Sequence, residues 1–304
     1  MFLVSSLVFF AFSVIRGDPA SYLAGTEGSS EYLASLREEM GLNRNAISRY
    51  FDWLGGFLTG EAGYSARFHG EDVGAMIKER LPVSFSLAAF SLFLILIIAL
   101  PVSLFTVKRQ GRALDRIVNF LTAAGISVPG FFLGVLFIWV FGFIANIFVP
   151  GFYIDYRENF PAFLGSLFFP ALAIAIPNAA ILIKFLRSSL FQELSGDYAR
   201  TARSKGAGGV YILRRHVLKN ALIPALTIFG MIIAEVFSGS VIIEQVFTIP
   251  GIGRLLIAAI SARDYPLIQA LVVYIAFIVV LANTLVDIVI AIIDPRIRAV
   301  KEIQ

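Results

Sequence analysis

Five apolar runs, each long enough to cross a bilayer as a helix, dictate what this chain can fold into. They are roughly Leu81–Val107, Ile117–Val149, Phe160–Leu186, Ala221–Ile243 and Pro266–Ile293. A spanning helix needs about 20 apolar residues, and only a helix or a closed barrel can pair every backbone polar group inside hydrocarbon. A sixth run, Met1–Ile15, is apolar but short. No basic residues precede it, so it does not fit a cleaved signal peptide and is expected to be a first transmembrane helix whose beginning precedes this start. The fold class expected is all-α: a polytopic integral membrane protein with about six transmembrane helices. Residues 1–80 would hold the first helix and an external segment with short interfacial helices. Residues 81–304 would form a core of five helices with a cytoplasmic loop at 187–220.

Composition agrees. The chain is 58% hydrophobic and 15% charged, against about 45–50% and about 25% in soluble domains. Mean hydropathy is +0.82. There are no cysteines, which excludes disulfides, thiol catalysis and cysteine metal sites. His69 and His216 stand far apart without the ligand spacing a zinc site needs. The net charge of +4 does not point to nucleic acid, because the charge is sorted by loop. Segments 108–116, 184–220 and the tail from Asp294 hold 15 of the 25 Lys/Arg. Basic residues in short loops mark the cytoplasmic side, so both termini are expected inside.

In the external segment, Ile47, Tyr50, Phe51, Leu54, Phe57 and Leu58 recur at helical spacing. They suit a helix lying at the membrane interface, or equally one packed on the protein's own outer face. Proline and glycine interrupt the spans at Pro101, Gly125, Pro129, Gly130, Pro170, Pro177, Pro224, Gly230 and Gly239. Small residues serve close helix packing, and the same breaks can serve as kinks around a pathway.

The stretch from Asp197 to Pro224 is the most distinctive. It sets Asp197 against Arg200, Arg203, Lys205, Arg214, Arg215 and Lys219. Asp197 can cap a short helix, Arg203 and Lys205 fall in its last turn where cations suit the dipole, and Gly206 can supply a left-handed stop. The result is a rigid basic knob that implies a socket on a partner. No phosphate-binding G-x-x-x-x-G-K-[ST] occurs, and neither H-E-x-x-H nor G-x-S-x-G is present. Glu235 and Asp287 are acids within spans. They are candidates for a proton relay, which would make the chain an ion-coupled secondary transporter, or for a structural role. An intramembrane enzyme finds no catalytic constellation.

Several motifs in order carry a family resemblance. They are Gly17-Asp18-Pro19, Met40-Gly41-Leu42 with Tyr50-Phe51-Asp52-Trp53-Leu54, and Gly60-Glu61-Ala62-Gly63-Tyr64-Ser65. Ser127-Val128-Pro129-Gly130-Phe131, the 197–224 stretch, and Glu244-Gln245-Val246-Phe247 with Pro250-Gly251-Ile252-Gly253 follow. Arg263-Asp264-Tyr265-Pro266 and Asp294-Pro295-Arg296-Ile297-Arg298 complete the set. Together they resemble the permease subunits of ATP-binding-cassette importers, in the peptide/nickel/opine branch and its B-type subunit, over nearly the whole chain.

The resemblance implies a type I importer fold in a bacterial or archaeal cytoplasmic membrane and a non-catalytic role. The chain would bind no cofactor; ATP and magnesium would sit on two separate ATPase subunits. A second, homologous permease and an extracytoplasmic binding protein would be its other partners. The family's "EAA" loop would correspond to the 197–224 stretch, with Arg200-Thr201-Ala202 where E-A-A stands. Asp197, Arg200, Thr201, Ala202, Arg203, Lys205, Gly206 and Pro224 would transmit force from the ATPases. Pro129, Gly130, Gly239, Glu235 and Asp287 are the pathway candidates. The branch implies di- or oligopeptides as substrate, with nickel next and opines or oligosaccharides after it. Ser204 departs from the family's usual alanine, and Glu235 has no counterpart in the pattern.

Overall fold

A computed structural model describes residues 2–14, 29–39, 44–65, 67–68 and 70–293. The Gly17-Asp18-Pro19, Met40-Gly41-Leu42 and Asp294–Arg298 motifs, and His69, lie outside the described residues. The described residues form α1 (Phe2–Val14), α2 (Ser30–Glu39), α3 (Ala46–Thr59), α4 (Val73–Val107), α5 (Ala113–Ser127) and α6 (Gly130–Ile144). They continue as α7 (Phe160–Leu194), α8 (Asp197–Ser204), α9 (Gly209–Val246), α10 (Ile252–Ala262) and α11 (Tyr265–Ile293). One isolated bridge, Tyr64 with Asp72, is the β pairing among them.

Helices α4, α7, α9 and α11 are each long and apolar enough to cross a membrane. The run expected as one span over Ile117–Val149 is instead two helices, α5 and α6, bent by 98°. The cause is local. Proline disfavours the helical conformation in the residue before it, and Val128 is extended at φ −97°, ψ 119°. Pro129 then takes the N-cap position of α6, where its missing N–H costs nothing. Counting the bent pair as one gives five spans, with the apolar α1 beside them.

The chain divides into two compact units that interleave in sequence: Met1–Phe85 with Ile249–Val280, and Ser86–Thr248 with Leu281–Gln304. In the first, α3 packs on α1 through Tyr50, which is 2% exposed. Its hydroxyl shares a 2.8 Å hydrogen bond with Ser5, and the rings of Phe2, Phe9 and Trp53 surround it. Asn45 caps α3, accepting from the Ile47 N–H at 3.1 Å. One face of α3 therefore packs on the protein, while Ile47, Phe51 and Leu58 on another face stay exposed.

The core of this unit joins Ala62, the first turns of α4, α10 and the start of α11 through Val73, Met76, Leu255, Ala259, Leu267 and Leu271. The R-D-Y-P motif finds its reason there. Asp264 is fully buried and accepts from the Ser65 hydroxyl, the Arg67 N–H at 3.1 Å and the Leu267 N–H at 3.3 Å. Ser65 belongs to the G-E-A-G-Y-S motif, so the two motifs meet at one carboxylate.

In the second unit α7 is the hub: α5, α6, α8 and α9 all pack on it. Its buried face is rich in alanine, including Ala171, Ala173, Ala175 and Ala179. Small side chains let neighbouring backbones approach, which is how helices gain contact where lipid and protein are equally apolar. A Cβ on Gly130 would lie 3.1 Å from the Ala173 carbonyl oxygen on α7, and one on Gly230 would overlap Val286 of α11. These glycines thus serve close packing, while the kink belongs to Pro129.

Candidate functional site

The basic stretch is an elbow of three helices rather than a loop. Within residues 187–220, α7 continues to Leu194, α8 covers Asp197–Ser204 where a short helix is expected, and helix resumes at Gly209. The reason is burial: Ile212, Leu213 and Val217 recur at helical spacing and are at most 3% exposed, so this stretch has a face to bury.

The N-terminus of α8 differs from the expected one. Gly196, extended at φ −65°, ψ 153°, is the N-cap, and no side chain caps the helix. Asp197 is the first helical residue, where its charge still opposes the positive end of the dipole. Ala199 is fully buried and Ala202 half-buried, whereas Asp197, Arg200, Thr201 and Ser204 share the outward face. Thr201 turns its hydroxyl back to the Asp197 carbonyl at 2.9 Å, and Arg200 lies 3.6 Å from the Asp197 carboxylate. At that exposure the pair adds little to stability.

Two side chains tie α8 to the end of α7. The Tyr198 hydroxyl donates to Glu193 at 2.5 Å, and Arg203 donates to the Leu194 carbonyl at 3.1 Å. Burial, and then the hydrogen bond to Glu193, push the Tyr198 phenol above its usual range. Lys205 is the C-cap, one position past the last turn. Gly206 adopts φ +82°, and the Ala207 N–H returns to the Ala202 carbonyl at 3.1 Å. A Cβ at Gly206 would meet nothing within 4 Å, so the demand for glycine comes from the backbone angle and not from crowding within this chain. Pro224 is exposed inside α9.

A second polar group was not anticipated. Arg187 on α7 is 5% exposed and pairs with Asp115 on α5, itself 8% exposed. Arg187 also donates to Asn119 at 2.7 Å, and Asp115 accepts from the Gly111 N–H at 3.0 Å. The signal available was Asp115 and Asn119 four apart on one helix face, but nothing in the chain names Arg187 as their partner.

The pathway candidates fall at the α5–α6 break, on α9 and on α11. Pro129 and Gly130 sit at the break between α5 and α6. Gly239 has open space beside it. Glu235 and Asp287 are both exposed, and neither carboxylate has an ion-pair partner among the described residues. Glu235 does share a row on α9 with Thr227, Met231, Ser238, Ile242 and Gln245, all exposed. The exposed row of α4, by contrast, is Phe93, Ile97, Pro101 and Phe105, wholly apolar. The α4 row suits lipid; the α9 row, with a carboxylate and an amide, does not. No group of three potential metal ligands occurs among the described residues.

Comparison with known proteins gives this architecture its place. Residues 96–299 match the binding-protein-dependent transport system inner membrane component, and residues 1–88 match the N-terminal membrane component of the same systems. A probable peptide ABC transporter permease of Sinorhizobium fredii is 35% identical over 298 residues, covering 98% of this chain and 95% of that protein. The oligopeptide transport permease AppB of Bacillus subtilis is 34% identical, covering 97% and 94%. The dipeptide transport permease DppB of Lactococcus lactis is also 34% identical, covering 98% and 95%. Among solved structures, a chain of the inward-facing MetNI methionine ABC transporter aligns with a TM-score of 0.55, covering 72% of this chain and 96% of that one. At 17% identity that likeness speaks to the fold. With both family matches in chain order and relatives matched nearly end to end, this chain belongs to the binding-protein-dependent transport system inner membrane components.

Proposed function

We propose that this chain is the transmembrane permease subunit of an ATP-driven, binding-protein-dependent importer of di- or oligopeptides. It forms half of the translocation pathway beside a second, homologous permease. Two ATPase subunits carry the ATP and magnesium, and an extracytoplasmic binding protein delivers the substrate. Both termini face the cytoplasm. The peptide assignment rests on relatives of the Sinorhizobium, Bacillus and Lactococcus kind. The mechanical assignment rests on one observation: α8 is a short basic helix pinned to the end of α7 by Tyr198 and Arg203 and ended by a left-handed glycine.

A helix so held moves as a unit with α7. Asp197, Arg200, Thr201 and Ser204 face outward and would meet the ATPase; Ala199 and Ala202 back the helix; Arg203, Lys205 and Gly206 fix its exit toward Pro224. A push on α8 is then delivered along α7, the hub on which α5, α6 and α9 pack. The pathway itself would be lined by the α9 row that includes Glu235, near Gly239, with Pro129, Gly130 and Asp287 as further wall residues.

The first test is affinity purification of the tagged chain from its native membrane, with mass spectrometry of what accompanies it. A second permease and P-loop ATPases are expected; recovery of the chain alone under mild detergent would overturn the importer reading. The second test is Gly206→Asp. A non-glycine residue at φ +82° costs about 1–2 kcal/mol, so the α8 exit rearranges while the membrane helices remain. Uptake of a labelled dipeptide should fall sharply with the chain still inserted. Wild-type uptake would refute the role given to α8.

A further inference from the structure

The second unit holds a basic hollow, two of whose cations, Lys108 and Arg112, the transport reading does not use. It measures about 600 Å³ and is lined among others by Lys108, Gln110, Arg112, Phe191, Arg200 and Arg203. Four cations thus line it, Lys108 and Arg112 from the segment after α4 and Arg200 and Arg203 from α8, with Phe191 and Leu194 at the end of α7 beside them. No carboxylate is among the lining residues. Of the nearby acids, Asp115 pairs with Arg187 and Glu193 with Tyr198, while Asp197 lies 3.6 Å from Arg200, the one lining cation with a carboxylate partner among the described residues. A hollow of this kind calls for an anion from outside the chain.

The row leading to it identifies which anion. The exposed apolar row of α4 runs Phe93, Ile97, Pro101, Phe105, and its next members are Arg109 and Lys108. The Arg109 guanidinium lies over the Phe105 ring, 4.4 Å from its centre. Apolar side chains suited to an acyl chain thus give way, within one turn, to cations suited to a phosphate. A soluble anion would need only the cations; the order of apolar row and then cations matches a lipid read from tail to headgroup. Basic pockets where membrane helices end are the places that hold anionic headgroups.

We propose that this hollow binds the phosphate headgroup of an anionic phospholipid, its acyl chain lying along the α4 row, with Lys108 and Arg112 as the principal cations. The site does not depend on ATPase docking, because these two residues lie outside α8.

The test uses the full-length chain in an uncharged detergent, with phosphatidylglycerol or phosphatidylcholine of equal chain length added and retained lipid counted by native mass spectrometry. Phosphatidylglycerol should be retained in preference. Lys108→Gln should weaken its retention about fivefold, and Lys108→Gln with Arg112→Gln about thirtyfold, from the worth of a basic side chain beside an anionic headgroup. Lys219→Gln, which removes an equal charge outside the hollow, should leave retention unchanged. Circular dichroism checks that each variant keeps its helices, and the single Lys108 variant, at an exposed position, serves if the double one does not. Equal retention of the two lipids would overturn the proposal. So would a loss no greater in Lys108→Gln than in Lys219→Gln. Displacement of the lipid by excess inorganic phosphate would make this a free-anion site and overturn the lipid assignment. Variants that keep phosphatidylglycerol but lose co-purifying ATPase would assign the hollow to subunit docking instead.

Discussion

Removing Arg187 should destabilise the junction of α7 and α5 strongly. Arg187 and Asp115 are 5% and 8% exposed and join α7 to the first turn of α5. In Arg187→Leu the Asp115 carboxylate keeps one donor, the Gly111 N–H at 3.0 Å, and Asn119 loses the guanidinium that reached it at 2.7 Å. Stranding one partner of a buried ion pair costs about 3–5 kcal/mol. Replacing both with apolar residues, as in Asp115→Leu with Arg187→Leu, removes the stranded charge and should cost far less than the sum of the singles. The assay is equilibrium unfolding in mixed micelles with increasing SDS, followed by circular dichroism, on the wild type, both singles and the double. A coupling energy of about 2 kcal/mol or more between the sites is expected, near the upper end for residues in one network. An Arg187→Leu cost below about 1 kcal/mol, or additive singles, would refute the reasoning.

Other changes test other parts of the architecture. Asp264→Leu should destabilise the first unit by about 3 kcal/mol, because the Ser65 hydroxyl and the Arg67 and Leu267 N–H groups lose a charged acceptor in a fully buried place; an unmoved SDS midpoint would contradict this. Gly230→Val should cost about 1–3 kcal/mol by overpacking against Val286, and Val286→Ala in the same chain should recover much of it, which separates crowding from helix propensity. The Tyr153 phenol is pushed up to about 12 from 10.0, chiefly by burial and then by the Asp155 charge. Its folded pKa exceeds its unfolded one, so its contribution is whole below pH 10 and is lost as pH rises toward 12. Tyr153→Phe should remove a phenolate absorbance that titrates above the usual range and flatten the stability profile in that window; an unchanged titration would refute the assignment.

The spans were legible because hydropathy adds along a run and does not depend on neighbours. The run from Ile117 to Val149 shows what that addition leaves out. Its sum describes one crossing, but Pro129 turns it into two helices at 98°, and both Pro129 and Gly130 had been visible as breaks. Gly206 was equally legible, since a left-handed stop is a property of one residue and the turn before it. The capping residue of α8 was not, because Gly196 and Asp197 are adjacent and both suit a helix start.

What the sequence by itself determined, then, was each element that a local sum or a single backbone angle decides: the apolar helices, the basic knob, and the order of motifs that marks the family. The tertiary structure alone decided which distant polar groups meet. Ser65 and Asp264 stand 199 residues apart and Asp115 and Arg187 stand 72 apart. Each of these groups, taken singly, looks like an ordinary polar residue near the end of an apolar run. Burial makes them partners, since a charge held away from water must find its opposite or its donors, and only the packing of whole helices determines which one lies within reach.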